Sequence, residues 1–264
     1  MRGQKLHLAI SPCPNDTFMF DAIINRRIDL GGLDVDVEYL DIEQLNVRAL
    51  SRSADVTKCS AALLSAIVDN YRLLDSGAAL GRGNGPLLVR RCGDRTPIRH
   101  IAVPGLNTTA NALVARLFPD IEHRTPLLFS EIAEAVERGD YDAGVLIHEG
   151  RFVYDRRNLE LVADLGVEWE RCMSLPLPLG AIVMARDVPH EVATQFESLL
   201  RESIAYAFAH PEDSRRFIKE HAQEMDDDVI SKHIALFVNE FSLSLGDEGR
   251  EAVARLCGVD AERL

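Results

Sequence analysis

Five short stretches of this chain set polar chemistry directly after apolar, strand-like runs: SPCPNDTF at residues 11–18, Leu45 with Asn46, TKCS at 57–60, NTTA at 107–110 and IHEG at 147–150. In open parallel sheets, ligands bind beyond the carboxyl ends of strands, so a site is expected where these stretches meet. His148 follows Val145, Leu146 and Ile147, which puts an imidazole at such a strand end. With an ordinary pKa of about 6.5, a histidine there suits proton transfer near neutrality; the alternative is a hydrogen-bonded structural histidine. Glu149 beside it either orients a substrate or faces solvent.

The SPCPND stretch presents a hydroxyl, an amide and a carboxylate between two prolines, a way to build a rigid polar edge for a ligand. Asn15 and Asp16 can equally cap the helix that follows. NTTA opens a helix just after Pro104 and Gly105, so the amides of Thr109 and Ala110, with the threonine hydroxyls, can hold a carboxylate at a helix N-terminus. Ordinary capping by Asn107 or Thr108 is the plainer reading. Lys58 either meets an anion or is a solvated charge. His7, His100, His123, His190, His210, His221 and His233 have no companion motif. The glycine-rich GRGNGP at 81–86 lacks both the GxGxxG spacing and a GK[ST] ending, which excludes a nucleotide loop, and no GxSxG, HExxH or kinase motif occurs.

The elements that must position these residues alternate between strand and helix. KLHLAIS alternates as a strand, with a helix through TFMFDAIIN; LDVDVEYLDI and LNVRALS, then ADVTKCS and SAALLSAIVDN, repeat the unit. PLLVRR closes a first lobe. RHIAVPG with NTTANALVARLF, and SEIAEAVERG with YDAGVLIHEG, continue in a second, with Ser130 as an N-cap and Gly139 past the helix end. LPLPLGAIVMARD returns as a strand, and the remainder is helical, with Ile230, Ile234, Phe237, Val238 and Phe241 on one stripe. The alternation implies parallel sheets. The expected architecture is α/β, a two-lobed periplasmic-binding-protein-like (type II) fold with a ligand cleft between lobes. Residues 1–99 would form lobe one, 100–182 an inserted lobe two, and 183–264 helices returning to lobe one. The hinge is expected near 97–102 and 180–185.

Composition narrows the partners. The chain has 264 residues, 47% of them hydrophobic, enough to bury a sizeable core in one large domain or two modest ones. Its formal net charge is −13, with no Lys/Arg run longer than two, so its long-range field repels nucleic acid and anionic membrane. A small anionic ligand would therefore need local positive potential. Five scattered cysteines without a CxxC pair argue against both a disulfide framework and a zinc site. The apolar run at Leu8–Ile10 is too short for a secretion signal or a membrane span, which makes the cytoplasm the expected location.

Taken in order, SPCPNDTFMF, DIEQLN, DVTKCS, GAALGRGNGPLLV, PGLNTTA, GVLIHEGRF and LPLPLGAIV resemble the signature blocks of the 1,4-dihydroxy-6-naphthoate synthase family of the futalosine route to menaquinone, across roughly residues 7–185. The resemblance implies cofactor-free cleavage of cyclic dehypoxanthine futalosine, with no metal and with a small carboxylate-bearing substrate. It maps the proposed base onto His148 and ligand contacts onto Asn46, Ser60, Thr109 and Ala110, to which Asn15 and Asp16 are added from the SPCPND loop. Cys59, between Lys58 and Ser60, is the one point that stands out, and it reads as a passive thiol. The sister chorismate dehydratase shares fold and pathway but lacks the LIHEG block. A non-catalytic intracellular small-carboxylate binding protein is the rival from another class, because this fold most often serves transport.

Overall fold

A computed structural model describes residues 5–148, 150–222 and 226–264; Glu149, one of the residues singled out above, lies outside them. The first sheet contains β1 (Lys5–Ile10), β2 (Asp34–Tyr39), β3 (Val56–Ser60), β4 (Tyr71–Leu73) and β5 (Ala79–Gly81), and the second contains β6 (Leu87–Arg91), β7 (His100–Val103), β8 (His123–Pro126), β9 (Ala143–Leu146) and β10 (Leu159–Asp164). The last strand, β11 (Leu177–Ala185), returns to the first sheet. Helices α1 (Pro14–Ile24), α2 (Ile42–Ser51) and the short α3 (Leu64–Ile67) follow strands of sheet one. Helices α4 (Thr109–Leu117), α5 (Phe129–Arg138), α6 (Gly150–Val153) and α7 (Leu165–Met173) follow strands of sheet two. The C-terminal helices are α8 (His190–Ala209), α9 (Arg215–His221), α10 (Asp227–Phe237), α11 (Glu240–Leu243) and α12 (Gly246–Cys257).

Sheet one runs β2-β1-β3-β11-β4, with β5 also on β11; sheet two runs β10-β6-β9-β7-β8. Both are mixed rather than parallel. β1 is parallel to β2 and β3, and β7 to β8 and β9, but β11 is antiparallel to β3 and β6 is antiparallel to β9. β6 and β11 are the strands by which the chain changes lobes, and neither enters through the β-helix-β crossover that enforces parallel pairing. Sheet membership puts the chain's passages between the two sheets away from the expected divisions at 99/100 and 182/183. Leu87 pairs with Leu146 in sheet two, and Gly180 with Ser60 in sheet one, so the chain crosses between residues 82 and 86 and again between 174 and 176. Apolar alternation identifies PLLVRR as a strand; it carries no information about which sheet the strand joins.

Local signals account for several helix ends. Asp41 accepts from the amides of Glu43 and Gln44 while Gln44 Oε1 accepts from the Asp41 amide, a capping box that starts α2. Gly139 ends α5 at φ +84°. At its start, however, α5 begins one residue before Ser130, after Leu128, with no side-chain cap. α1 starts on Pro14, so Asn15 and Asp16 lie inside its first turn instead of capping it.

The main core of lobe one packs Leu8, Ile10, Phe20 and Ile23 of β1 and α1 against Phe196, Leu200 and Ile204 of α8, and Ile230 of α10 joins it. That is why the C-terminal helices belong to this lobe. Lobe two packs α4 and α7 on sheet two, with Trp169 buried and its indole donating to the Pro176 carbonyl at 3.1 Å. The first crossing is held against the start of α7 where Gly85 meets Gly166: a Cβ on Gly85 would lie 2.1 Å from the Gly166 nitrogen. Gly85→Ala must push these backbones apart, and the expected cost is about 1–3 kcal/mol. Denaturant unfolding measures it, and an unchanged midpoint would show that the contact is not rigid.

Candidate functional site

Between the lobes lies a cleft of about 600 Å³, partly open to solvent, lined by Asn15, Lys58, Ser60, Thr109, Ala110, His148, Arg151 and a set of apolar residues that includes Ile42, Leu179 and Phe237. Five of the seven residues expected to act on or contact the ligand therefore line one space. The other two, Asp16 and Asn46, are fully buried behind it.

Asp16 anchors the floor. Its carboxylate accepts from the Ser11 amide (3.0 Å), the Ser11 hydroxyl (2.6 Å), Asn15 Nδ2 (2.8 Å) and the Lys58 ammonium. Lys58 is 4% exposed and points from β3 between Asp16 and the cleft. Its stem passes over Gly180, where a Cβ would approach Lys58 Cε to 3.2 Å. Lys58 is thus a buried, paired cation and not a solvated one. Asn46 braces Ser60 from the other side: Ser60 N donates to Asn46 Oδ1 (2.8 Å), and Asn46 Nδ2 donates to Ser60 Oγ (3.1 Å) and to the Asn107 carbonyl (3.2 Å). Because Ser60 Oγ accepts from Asn46, its own proton is left to donate into the cleft.

At the start of α4, Thr108 is the N-cap and accepts from the Asn111 amide at 3.2 Å. The Thr109 hydroxyl is committed to the fold, since it donates to the Leu179 carbonyl (2.9 Å) and accepts from the Ala62 amide (3.2 Å). What remains for a ligand is the pair of first-turn amides on Thr109 and Ala110, which the helix cannot satisfy internally. Arg151 adds a second cation, held by the Gly85 carbonyl (2.6 Å) and Asp164 (3.4 Å). Burial pushes its pKa down, but a guanidinium stays charged.

His148 occupies the wall of the cleft in a left-handed conformation, φ +51°, which a non-glycine residue adopts only where its surroundings enforce it. Phe129 stands edge-on to its ring at 5.0 Å, and the ring of His233 lies nearly parallel to it at 6.0 Å. Burial first, and the Lys58 charge second, push the His148 pKa down to about 3. It is therefore a neutral base.

His233 is the residue that sequence reasoning passed over. It is 1% exposed, and its Nε2 lies 3.0 Å from Asn15 Oδ1. Since Asn15 Nδ2 donates to Asp16, Asn15 Oδ1 is the acceptor, which makes His233 the Nε2–H tautomer. Its Nδ1 lone pair is buried without a partner. Burial, followed by His148 and Lys58, pushes its pKa well down. The available signal was a polar residue inside the Ile230, Ile234, Phe237 stripe. Cys59 beside Lys58 is fully buried, and burial raises its thiol pKa, so it stays protonated. Among the described residues no group of three or more His, Cys, Asp or Glu is placed to hold a metal ion, and no helix is long and apolar enough to cross a membrane.

Two lobes flanking a cleft that carries helix N-terminal amides, a buried cation and an imidazole define an α/β protein of the periplasmic-binding-protein-like fold. The same fold is seen in the Candida albicans CA3427 gene product, which exhibits the generic periplasmic binding protein fold (TM-score 0.72, 14% identity, covering 98% of this chain and 90% of that one). Protein AF1704 from Archaeoglobus fulgidus superposes with a TM-score of 0.89 at 33% identity, covering 96% and 95%. Residues 6–262 match the family model for menaquinone biosynthesis. The 1,4-dihydroxy-6-naphtoate synthase of Thermus thermophilus is 43% identical over 258 residues, covering 96% of this chain and 93% of the relative. That of Streptomyces coelicolor is 41% identical over 262 residues, covering 97% and 93%. The chain belongs to the menaquinone biosynthesis family.

Two neutral imidazoles, His148 half-buried and His233 fully buried, have a consequence for stability. As pH falls below the ordinary histidine value of 6.5, the unfolded chain takes up protons that folded His148 and His233 refuse, so stability is full above that value and declines below it. Melting temperature is expected to fall from about pH 7 to about pH 5, and His233→Gln to show a shallower fall over the same interval from a lower start. Parallel slopes in thermal melts would show that His233 is not held neutral.

Proposed function

We propose that this chain is a cytoplasmic, cofactor-independent carbon–carbon lyase that converts cyclic dehypoxanthine futalosine to 1,4-dihydroxy-6-naphthoate, the compound for which its relatives are named. The observation that carries the reading is His148: an unprotonated imidazole in a strained backbone conformation at the wall of a largely apolar cleft that also holds two cations and two orphaned helix amides.

Apolar residues such as Ile42, Leu179 and Phe237 suit a flat ring system, and the Thr109 and Ala110 amides with the Ser60 hydroxyl suit its carboxylate. Asn15, fixed by Asp16 and His233, offers a further polar contact. An anionic substrate offsets the Lys58 and Arg151 charges and so raises the affinity of His148 for a proton from its value in the empty cleft. His148 then takes a proton from a substrate hydroxyl, the oxygen's electron pair forms a carbonyl on the departing fragment as the carbon–carbon bond breaks, and that bond's pair stays on the fragment that becomes the ring. The imidazolium returns the proton, so electrons and protons balance without an oxidant or reductant. Water exclusion by the closed lobes favours this proton traffic over side reactions.

Incubation with the cyclic futalosine derivative should yield the dihydroxynaphthoate; absence of product from folded protein that still binds the compound would favour a binding protein instead. His148→Ala should keep its fold and its affinity for the naphthoate while losing about a hundredfold to ten-thousandfold in turnover, the usual scale for a lost general base. Single-turnover kinetics and thermal melts on one preparation check this, and near-wild-type turnover in the folded variant removes His148 from the chemistry. The naphthoate at about a hundred times its dissociation constant should stabilise the protein by about 2.7 kcal/mol. Abolition of that gain is expected in a Ser60→Ala, Ala110→Pro double variant, compared by the same melts.

A further inference from the structure

On the other side of His148 lies a second cavity, of about 690 Å³ and partly open to solvent, for which the reading above supplies no occupant. It is walled by the Pro12–Pro14 turn, by the end of β2 and the start of α2, and by Leu128 and Phe129 from lobe two. His148 and Ile42 line both this cavity and the main cleft, so the imidazole stands in the partition between them.

The two spaces differ in chemistry. The main cleft contains Lys58 and Arg151. The outer cavity has no Lys or Arg in its lining and has the Asp41 carboxylate. The α2 capping box uses Asp41 Oδ1 and Gln44 Oε1, which leaves Asp41 Oδ2 and Gln44 Nε2 without partners among the described residues. Tyr39 adds a phenol whose pKa is pushed up to about 12 by burial and by Asp21, so it remains an O–H donor. An acceptor, an amide donor and a hydroxyl without a counter-cation match a neutral, polyhydroxylated group and disfavour a carboxylate.

We propose that the outer cavity is a second substrate subsite, which holds a neutral, hydroxyl-bearing fragment while the carboxylated aromatic fragment lies in the main cleft, so that the bond to be broken passes His148. The proposal rests on the lyase reading, because bond cleavage is what requires two differently furnished spaces on either side of one base. It also accounts for Phe129, whose ring wedges against His148 from the outer side.

The test compares substrate turnover with naphthoate binding in two variants of the full chain. Leu128→Trp fills the outer cavity from an exposed position, and Gln44→Leu removes its amide. Each should raise KM for the whole substrate by about tenfold or more, the scale of one lost specificity contact, while the dissociation constant of the naphthoate stays within about twofold. Unchanged KM in both variants, or naphthoate affinity lost in parallel with KM, overturns the subsite and leaves the lyase reading standing. No turnover by the wild-type protein overturns the lyase reading itself, and with it the subsite.

Discussion

The ion pair between Lys58 and Asp16 is the constraint on which the rest of the site depends. Burying two charges costs several kcal/mol each unless their remaining hydrogen-bonding capacity is filled, and removing one partner of such a pair typically destabilises by about 3–5 kcal/mol. Here the cost is met by geometry: Ser11 and Asn15 saturate the carboxylate. The same bonds fasten the SPCPND turn to the central strand β3, and through Asn15 and His233 they fasten α10 as well. In a chain of net charge −13, this pair and Arg151 also decide where an anion can be tolerated.

The fold and the site were legible in the sequence to different depths. The strand-end rule pointed to five residues that line the cleft, His148, Ser60, Thr109, Ala110 and Asn15, because a parallel strand's exit and the helix after it are local in sequence. It also returned Asp16 and Asn46, which lie fully buried behind the cleft lining: local pattern does not separate a residue that faces a cleft from one a side chain deeper. His233 was out of reach for the opposite reason. Its partner Asn15 is 218 positions away, and nothing near it in sequence announces the contact. The sheet membership of β6 and β11 failed likewise, since pairing across a two-lobed molecule is decided by which partners remain, not by alternation.

The lobes are latched where the ligand groups are presented. Asn46 and Glu43 of lobe one reach Asn107 of lobe two, and the Thr109 hydroxyl joins the Leu179 carbonyl of β11 to the Ala62 amide. These bonds lie within a few residues of the orphaned amides of α4. The contacts that join the lobes and the first turn of α4 thus share one small region of the cleft wall.

The placement of β11 has a further consequence, for synthesis on the ribosome. Sheet two is assembled from residues 87–164, a contiguous span that pairs with nothing emerging later. Sheet one cannot be completed until residues 177–185 arrive to lie between β3 and β4, and its core then waits for α8 and α10. The lobe begun first is thus the lobe finished last, and the β3 edge that will carry Lys58 stays open meanwhile. Unpaired edges of this kind template non-native pairing, so the nascent chain must be shielded there for longer than its length alone would suggest.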